Sequence, residues 1–229
     1  MPTPQPTPAP TKRGPNTSGE QTRIQILDVA ERLCAEGGFE SLSIRAISDA
    51  AQVNIAAITY HFGGKAQLFE EMFKRRVVPL NEQRLALLDA ALAQPPVTLE
   101  HVVRAFVEPP MRLTGTSAKG NSGLVVMQFL SRVFSMPGET EFLGRYYEPV
   151  RSRFILALQH QLPGIPLLEI VWRYNLMVGG IIYAMGGIER MQRLPAAYAS
   201  MTPEEEPDVE AGIRRIVRFM QSGFAAAAG

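Results

Sequence analysis

The residues best suited to chemistry lie between Ser43 and Lys65. Asn54, Ala56, Ala57, Thr59, Tyr60 and His61 form one side of a short segment, and Val53, Ile58 and Phe62 form the other. The first set is small or hydrogen-bonding, which suits close approach to a polar surface. Alanine methyls can touch thymine methyls, and Asn, Thr and His can bond base edges or phosphates. Lys65 follows Gly63-Gly64 and opens the next helical stretch. A cation there opposes the helix dipole at a cost of about 0.3–1 kcal/mol. A phosphate would remove that conflict, because free N–H groups and a positive charge stand side by side. Arg45 falls in the first turn of the preceding helix, near the edge of the same face. Each residue also has a plainer role: solvated charges for Lys65 and Arg45, packing for Tyr60 and His61.

These side chains need a frame. Ser43 can cap a short helix running to about Ala50, and Asn54 can cap another from Ile55 to about His61. Ala51-Gln52-Val53 makes a turn between them. Two short helices at such a turn form a helix-turn-helix, whose second helix enters the DNA major groove. Val53, Ile58 and Phe62 anchor that helix. A first helix is expected from a cap at Thr22, with Ile26, Leu27, Ala30, Leu33 and Cys34 inward, ending at Gly37-Gly38. Cys34 reads as core. A fourth helix is expected from Lys65 towards Ala93, bent at Pro79.

Beyond it, helices are expected at about 98–113, 123–134, 139–161, 166–190 and 207–226, with Pro109-Pro110 breaking or kinking the first of them. No stretch alternates with period two. The expected fold is all-α, a three-helix N-terminal unit followed by a larger bundle. The expected limits are a proline-rich disordered tail over 1–19, the helix-turn-helix unit over 20–66 and the bundle over 67–229. Lys12 and Arg13 give the tail a second reading, as a basic arm on nucleic acid.

Composition removes several classes. With 23 basic and 22 acidic residues the net charge is +1, so an anionic partner must be met by a local patch. One cysteine allows no intramolecular disulfide framework. The longest apolar run, about 176–188, is shorter than the roughly 20 residues of a membrane span. No secretory signal is visible at the N-terminus, and a cytoplasmic protein is expected. His61, His101 and His160 are scattered, without zinc spacing, so neither a metal nor another cofactor is implied. No nucleophile stands beside a positioned base, so an enzyme is not expected.

Residues from about Thr22 to Leu68 resemble the DNA-binding domain of TetR-type transcriptional regulators. The resemblance is carried by Gly38-Phe39, Ser43-Ile44-Arg45, Ala50-Ala51-Gln52-Val53-Asn54 and Ile58-Thr59-Tyr60-His61-Phe62-Gly63-Gly64-Lys65. It implies DNA contacts at Ser43, Arg45, Asn54, Thr59, Tyr60, His61 and Lys65. Two positions depart from the pattern. Gln52 stands where glycine is usual, at a left-handed turn position, at a cost of roughly 1 kcal/mol. Thr59 stands where an aromatic residue is common.

The second half is similar to the fatty-acid or acyl-CoA-responsive regulators of that family, through Tyr146-Tyr147-Glu148-Pro149-Val150, Arg153-Phe154, Leu162-Pro163 and Glu169-Ile170-Val171-Trp172-Arg173-Tyr174. The expected function is a repressor released from double-stranded operator DNA by an apolar small molecule. Control of an efflux or detoxification gene by a drug-like ligand is an alternative, and a helical ligand carrier that binds no DNA is another. Met127, Phe129, Met177 and Tyr183 are expected to flank the cavity, although helical Met and Phe also serve as plain core. Arg132, among apolar neighbours, is expected to meet an acidic head group or an internal carboxylate, with Trp172 and Asn175 at the rim. A homodimer is expected through the small-residue stripe Gly180, Ala184, Gly187 and the apolar stripe Ile213, Ile216, Val217, Met220. Both stripes could instead pack within one chain.

Overall fold

The computed structural model describes residues 17–39, 42–113, 123–134, 141–185, 191, 193, 195–198 and 208–227. Helix α1 spans Thr17–Gly37, α2 Ile44–Ala51, α3 Ile55–Phe62 and α4 Lys65–Leu92. Then come α5 Leu99–Arg112, α6 Gly123–Phe134, α7 Glu141–Gln161, α8 Leu167–Ala184 and α9 Val209–Ala225. Among the described residues there is no strand. The fold is all-helical, with an N-terminal helix-turn-helix unit joined to a C-terminal bundle. None of the described helices is long and apolar enough to cross a membrane.

The first helix starts earlier than its expected cap at Thr22. The prolines stop at Pro15, and Glu20 in the first turn suits the helix dipole. Thr22 lies inside the helix, where its hydroxyl donates to the carbonyl of Ser18 at 2.9 Å. The limit expected at residue 19 therefore falls within α1, and residues 1–16 lie outside the described residues. Gly38, with φ 77°, closes α1 by donating its N–H to Cys34 at 2.8 Å. Cys34 is buried there, and burial pushes its thiol up to about 11. It is a thiol at neutral pH and behaves as a small core residue.

One apolar core joins the two parts. Ile26, Leu27, Ile47 and Ile58 continue through Phe69 and Phe73 to Phe106, Phe154 and Tyr174. Helix α1 packs on α6 as well as on α2 and α4. Between α1 and α4 lies a set of ion pairs. Arg76 makes a two-pronged contact to Glu31 at 2.9 and 2.6 Å, Arg75 meets Asp28 at 2.7 Å, and Arg23 meets Glu71 at 2.6 Å. Glu31 is fully buried. A buried carboxylate is tolerated only while its partner stays, so this pair fixes the crossing of the two helices.

Helix α4 continues through Pro79, which lies on its exposed side. Of the break or kink expected at Pro109 and Pro110, there is no break: α5 continues through both, and both are buried inside it. Pro110 has no N–H for the carbonyl of Phe106, one turn earlier. Arg84, on α4, replaces it: its Nε donates to that oxygen at 3.1 Å. The buried row Val102, Val103, Phe106, Val107 and Met111 then holds the helix on the core. Helix α8 is described only to Ala184, so the expected extension to Arg190 lies outside the described residues beyond Met185.

Gln52 adopts φ 53°, ψ 40°, the left-handed conformation. Replacing it with glycine should raise stability by about 1 kcal/mol. The urea midpoint should rise accordingly, and an unchanged or lower midpoint would show that the turn carries no such strain.

Candidate nucleic-acid interface

The helix-turn-helix is built from short local bonds. Ser43 Oγ accepts from the N–H of Ala46 at 3.0 Å and starts α2. Asn54 Oδ1 accepts from Ala57 at 2.7 Å and starts α3. The turn is closed by the Val53 N–H donating to Ser48 at 3.1 Å and the Ser48 hydroxyl donating to Val53 O at 2.6 Å. Gln25 Nε2 on α1 donates to Ala51 O at 2.8 Å and ties the end of α2 down. Ile58 and Phe62 are buried and Val53 half-buried, as an anchored α3 requires.

The opposite side of α3 stands free. Tyr60 is 85% exposed, a large apolar ring left outside the core. Asn54, Ala56 and Thr59 are exposed, and Ala57 and His61 half-buried. The Thr59 hydroxyl donates back to Ile55 O at 3.3 Å. The His61 ring meets Tyr60 edge-on at 5.2 Å. Lys65 Nζ sits 4.5 Å from the centre of the Phe39 ring, which holds the ammonium at the start of α4. The sequence alone does not show this pairing, because it depends on how α1 ends. Gly64, the cap of α4, offers no side-chain acceptor, so the first N–H groups of α4 lack a side-chain cap. Among the described residues neither Arg45 nor Lys65 forms an ion pair. Two unneutralised cations and a helix N-terminus border one small, polar face. That arrangement suits phosphates flanking a groove.

The expected cavity residues do not converge. Met127, Phe129 and Met177 are buried in the common core, with the Phe129 ring 6.4 Å from Phe69. Trp172, Asn175 and Tyr183 lie on the outside of α8, opposite Ile170, Tyr174, Met177 and Ile181. Arg132 is not buried among apolar groups. It is exposed, and its guanidinium donates to Ala35 O at 2.9 Å and to Glu36 O at 3.2 Å. These carbonyls belong to the last turn of α1, where the helix has no further N–H to offer. Arg132 thus links the bundle to the reading unit, and the cavity role expected for it has no support in its position.

The expected dimer stripes also face inward. Ala184, Ile213 and Val217 are buried within the chain, and Ile216 and Met220 pack partly on its core. Gly180 lies where a Cβ would come within 2.5 Å of Met220 Cε, so the small-residue stripe admits α9 against α8 of the same chain. Gly187 lies outside the described residues. The row left outside is a different one. Leu168, Trp172, Leu176 and Tyr183 repeat at helical spacing on α8, each about half exposed or more, and Phe219 on α9 is 75% exposed.

Comparison with known proteins follows the same division. Residues 26–72 match the family model described as "Bacterial regulatory proteins, tetR family". Residues 104–223, more than half of the chain, match "Tetracyclin repressor-like, C-terminal domain". The HTH-type transcriptional regulator AcrR of Shigella flexneri is 44% identical over 55 residues, which cover 24% of this chain and 26% of that protein. The chain therefore matches about a quarter of that relative's length. A TetR-like transcriptional regulator from Rhodococcus sp. RHA1 superposes over 94% of this chain and 100% of its own, with a TM-score of 0.58 and 18% identity. NalD of Pseudomonas aeruginosa, the secondary repressor of the MexAB-OprM multidrug efflux pump, covers 89% of this chain and 97% of its own, with a TM-score of 0.57 and 21% identity. At these identities the two structures share the fold.

Asn54→Ala removes the acceptor that starts α3 and should lower stability by about 1 kcal/mol. A fall in the urea midpoint checks this; no change would show that α3 is held by its buried face alone.

Proposed function

Because this chain belongs to the TetR family of transcriptional regulators, we propose that it is a dimeric repressor whose α3 reads operator DNA and whose bundle receives an apolar effector. The observation that carries the reading is the exposed face of α3 bordered by Arg45 and Lys65, neither of which forms an ion pair among the described residues. Ala56, Ala57, Thr59 and Tyr60 meet base edges or sugar there. Ser43, Arg45, Asn54, His61 and Lys65 meet phosphates. Ser43 and Asn54 keep donors for DNA, since each uses an oxygen as acceptor in its cap.

One reading helix spans only a few base pairs, so a second copy is needed. The row Leu168, Trp172, Leu176 and Tyr183, with Phe219, supplies the dimer face. A symmetric pair would set two α3 helices about 34–36 Å apart on a pseudo-palindrome. The repressor acts in the cytoplasm, on the cell's own DNA. The effector is a fatty acid or acyl-CoA. Support for that class comes from the resemblance of the segments around Tyr147 and Tyr174, which meet Phe73 and Phe106 respectively in the bundle core. An effector releases DNA only by binding the off-operator arrangement more tightly. The contacts of α1 with both α4 and α6 give that difference a route to α3.

A gel-shift against the DNA upstream of the protein's own gene tests the reading, with binding measured over a range of salt. Lys65→Ala should weaken binding to every sequence and reduce the salt slope by about one. Unchanged affinity and slope would show that α4 does not face a phosphate. Trp172→Glu should leave a monomer in sedimentation at micromolar concentration, where the unaltered protein is a dimer. A variant that still sediments as a dimer would place the interface elsewhere.

A further inference from the structure

A cation with no acid beside it among the described residues lies in the bundle core. Arg84 is 4% exposed. Its own helix supplies Asn81, whose Oδ1 accepts from Nη1 at 3.4 Å, while Asn81 Nδ2 donates to Tyr146 O at 2.9 Å. From α5 come the Phe106 carbonyl, at 3.1 Å from Nε, and the Phe106 ring, centred 3.9 Å from the guanidinium carbon. From α7 and α8 come the phenols of Tyr147 and Tyr174, both within electrostatic reach of Arg84. Neither phenol is ionised at neutral pH. Burial drives Tyr147 well above the ordinary phenol range and pushes Tyr174 up to about 12. Burial also lowers Arg84, but a guanidinium starts so high that it keeps its proton. Among the described residues no carboxylate pairs with it.

A buried charge without a counter-ion is strongly unfavourable. The carbonyl that Pro110 leaves unpaired explains a donor at this place, yet a neutral amide would serve as well. The positive charge exceeds that structural need. We propose that Arg84 is the head-group receptor of the effector site and takes a single carboxylate, with the apolar part of the ligand lying along Phe106, Phe154 and Tyr174. Those rings already form one cluster, with Phe106 5.0 Å from Phe154 and 5.3 Å from Tyr174.

This inference rests on the effector reading above and narrows it. One guanidinium among neutral aromatic groups matches one carboxylate, which it can hold with paired hydrogen bonds. It does not match the several phosphate charges of coenzyme A. In a thioester, moreover, the carboxylate has become a neutral carbonyl. The ligand is therefore the free acid.

The test uses the full chain with dodecanoate, dodecanol and dodecanoyl-CoA at equal concentration. Two readouts are taken: the thermal midpoint relative to each protein's own unliganded value, and operator affinity. Dodecanoate should raise the midpoint of the unaltered protein and weaken its DNA binding by about tenfold or more. The alcohol and the thioester should do neither. Arg84→Gln should lose the response to dodecanoate, and Arg84→Lys should keep part of it. The proposal is overturned if the alcohol or thioester acts as strongly as the acid, if dodecanoate has no effect, or if Arg84→Gln responds like the unaltered protein. In those cases operator binding without ligand would still uphold the regulator reading. If the protein binds no operator, the regulator reading fails, and the midpoint comparison of acid with alcohol still decides this inference. Should Arg84→Gln not fold, the same comparison on the unaltered chain decides it.

Discussion

A helix that ends or meets a proline inside a protein leaves carbonyl oxygens without donors, and burying them unpaired is costly. In this chain arginine fills that need at three separate places. Arg132 donates to Ala35 and Glu36 at the end of α1. Arg84 donates to Phe106, where Pro110 interrupts the ladder of α5. Arg173, held by Glu169, donates to Phe224, Ala226 and Ala227 at the end of α9. Each bond spans two elements, so each fixes an angle as well as satisfying a carbonyl. These long side chains add fixed angles to a bundle held mainly by its apolar packing.

The first of the three matters most for function. Helix α1 carries α2 and α3, through Gln25 and the core around Ile26, Ile47 and Ile58. It is gripped along one side by α4, through the buried Glu31 and its partner Arg76. At its far end it is gripped by α6, through Arg132. A shift of α4 relative to α6 cannot leave α1 in place, because the two grips belong to different helices. Packed interiors respond to such a demand by moving elements as rigid pieces rather than by bending them. Under the proposed function, such a shift would move α3 as a unit, with its own bonds kept.

What the sequence could show follows the range of the interactions. The caps at Ser43 and Asn54 and the inward residues Ile58 and Phe62 are set within a few positions of one another and were legible from the residues, and the left-handed turn at Gln52 through the family resemblance. The continuity of α5 was not, because its rescue comes from Arg84, on a different helix. Arg132 read as a ligand group because the residues beside it in sequence are apolar, while its true partners lie on α1. On α8 the failure has another cause. The helix is apolar on two sides, with Ile170, Met177 and Ile181 inside and Leu168, Trp172 and Leu176 outside. A pattern with two apolar stripes does not say which one the chain itself covers.

Under the proposed function, Arg132 and the Glu31–Arg76 pair together set where the two α3 helices of a dimer stand. This is tested most directly by the distance between spin labels placed at Ala50→Cys, an exposed site on α2, in the dimer on operator DNA. The native Cys34 is buried and should not take the label. The distribution of distances should be narrow in the otherwise unaltered protein and clearly broader when Arg132→Ala is added. An equally narrow distribution at the same distance in both proteins would contradict that role of Arg132.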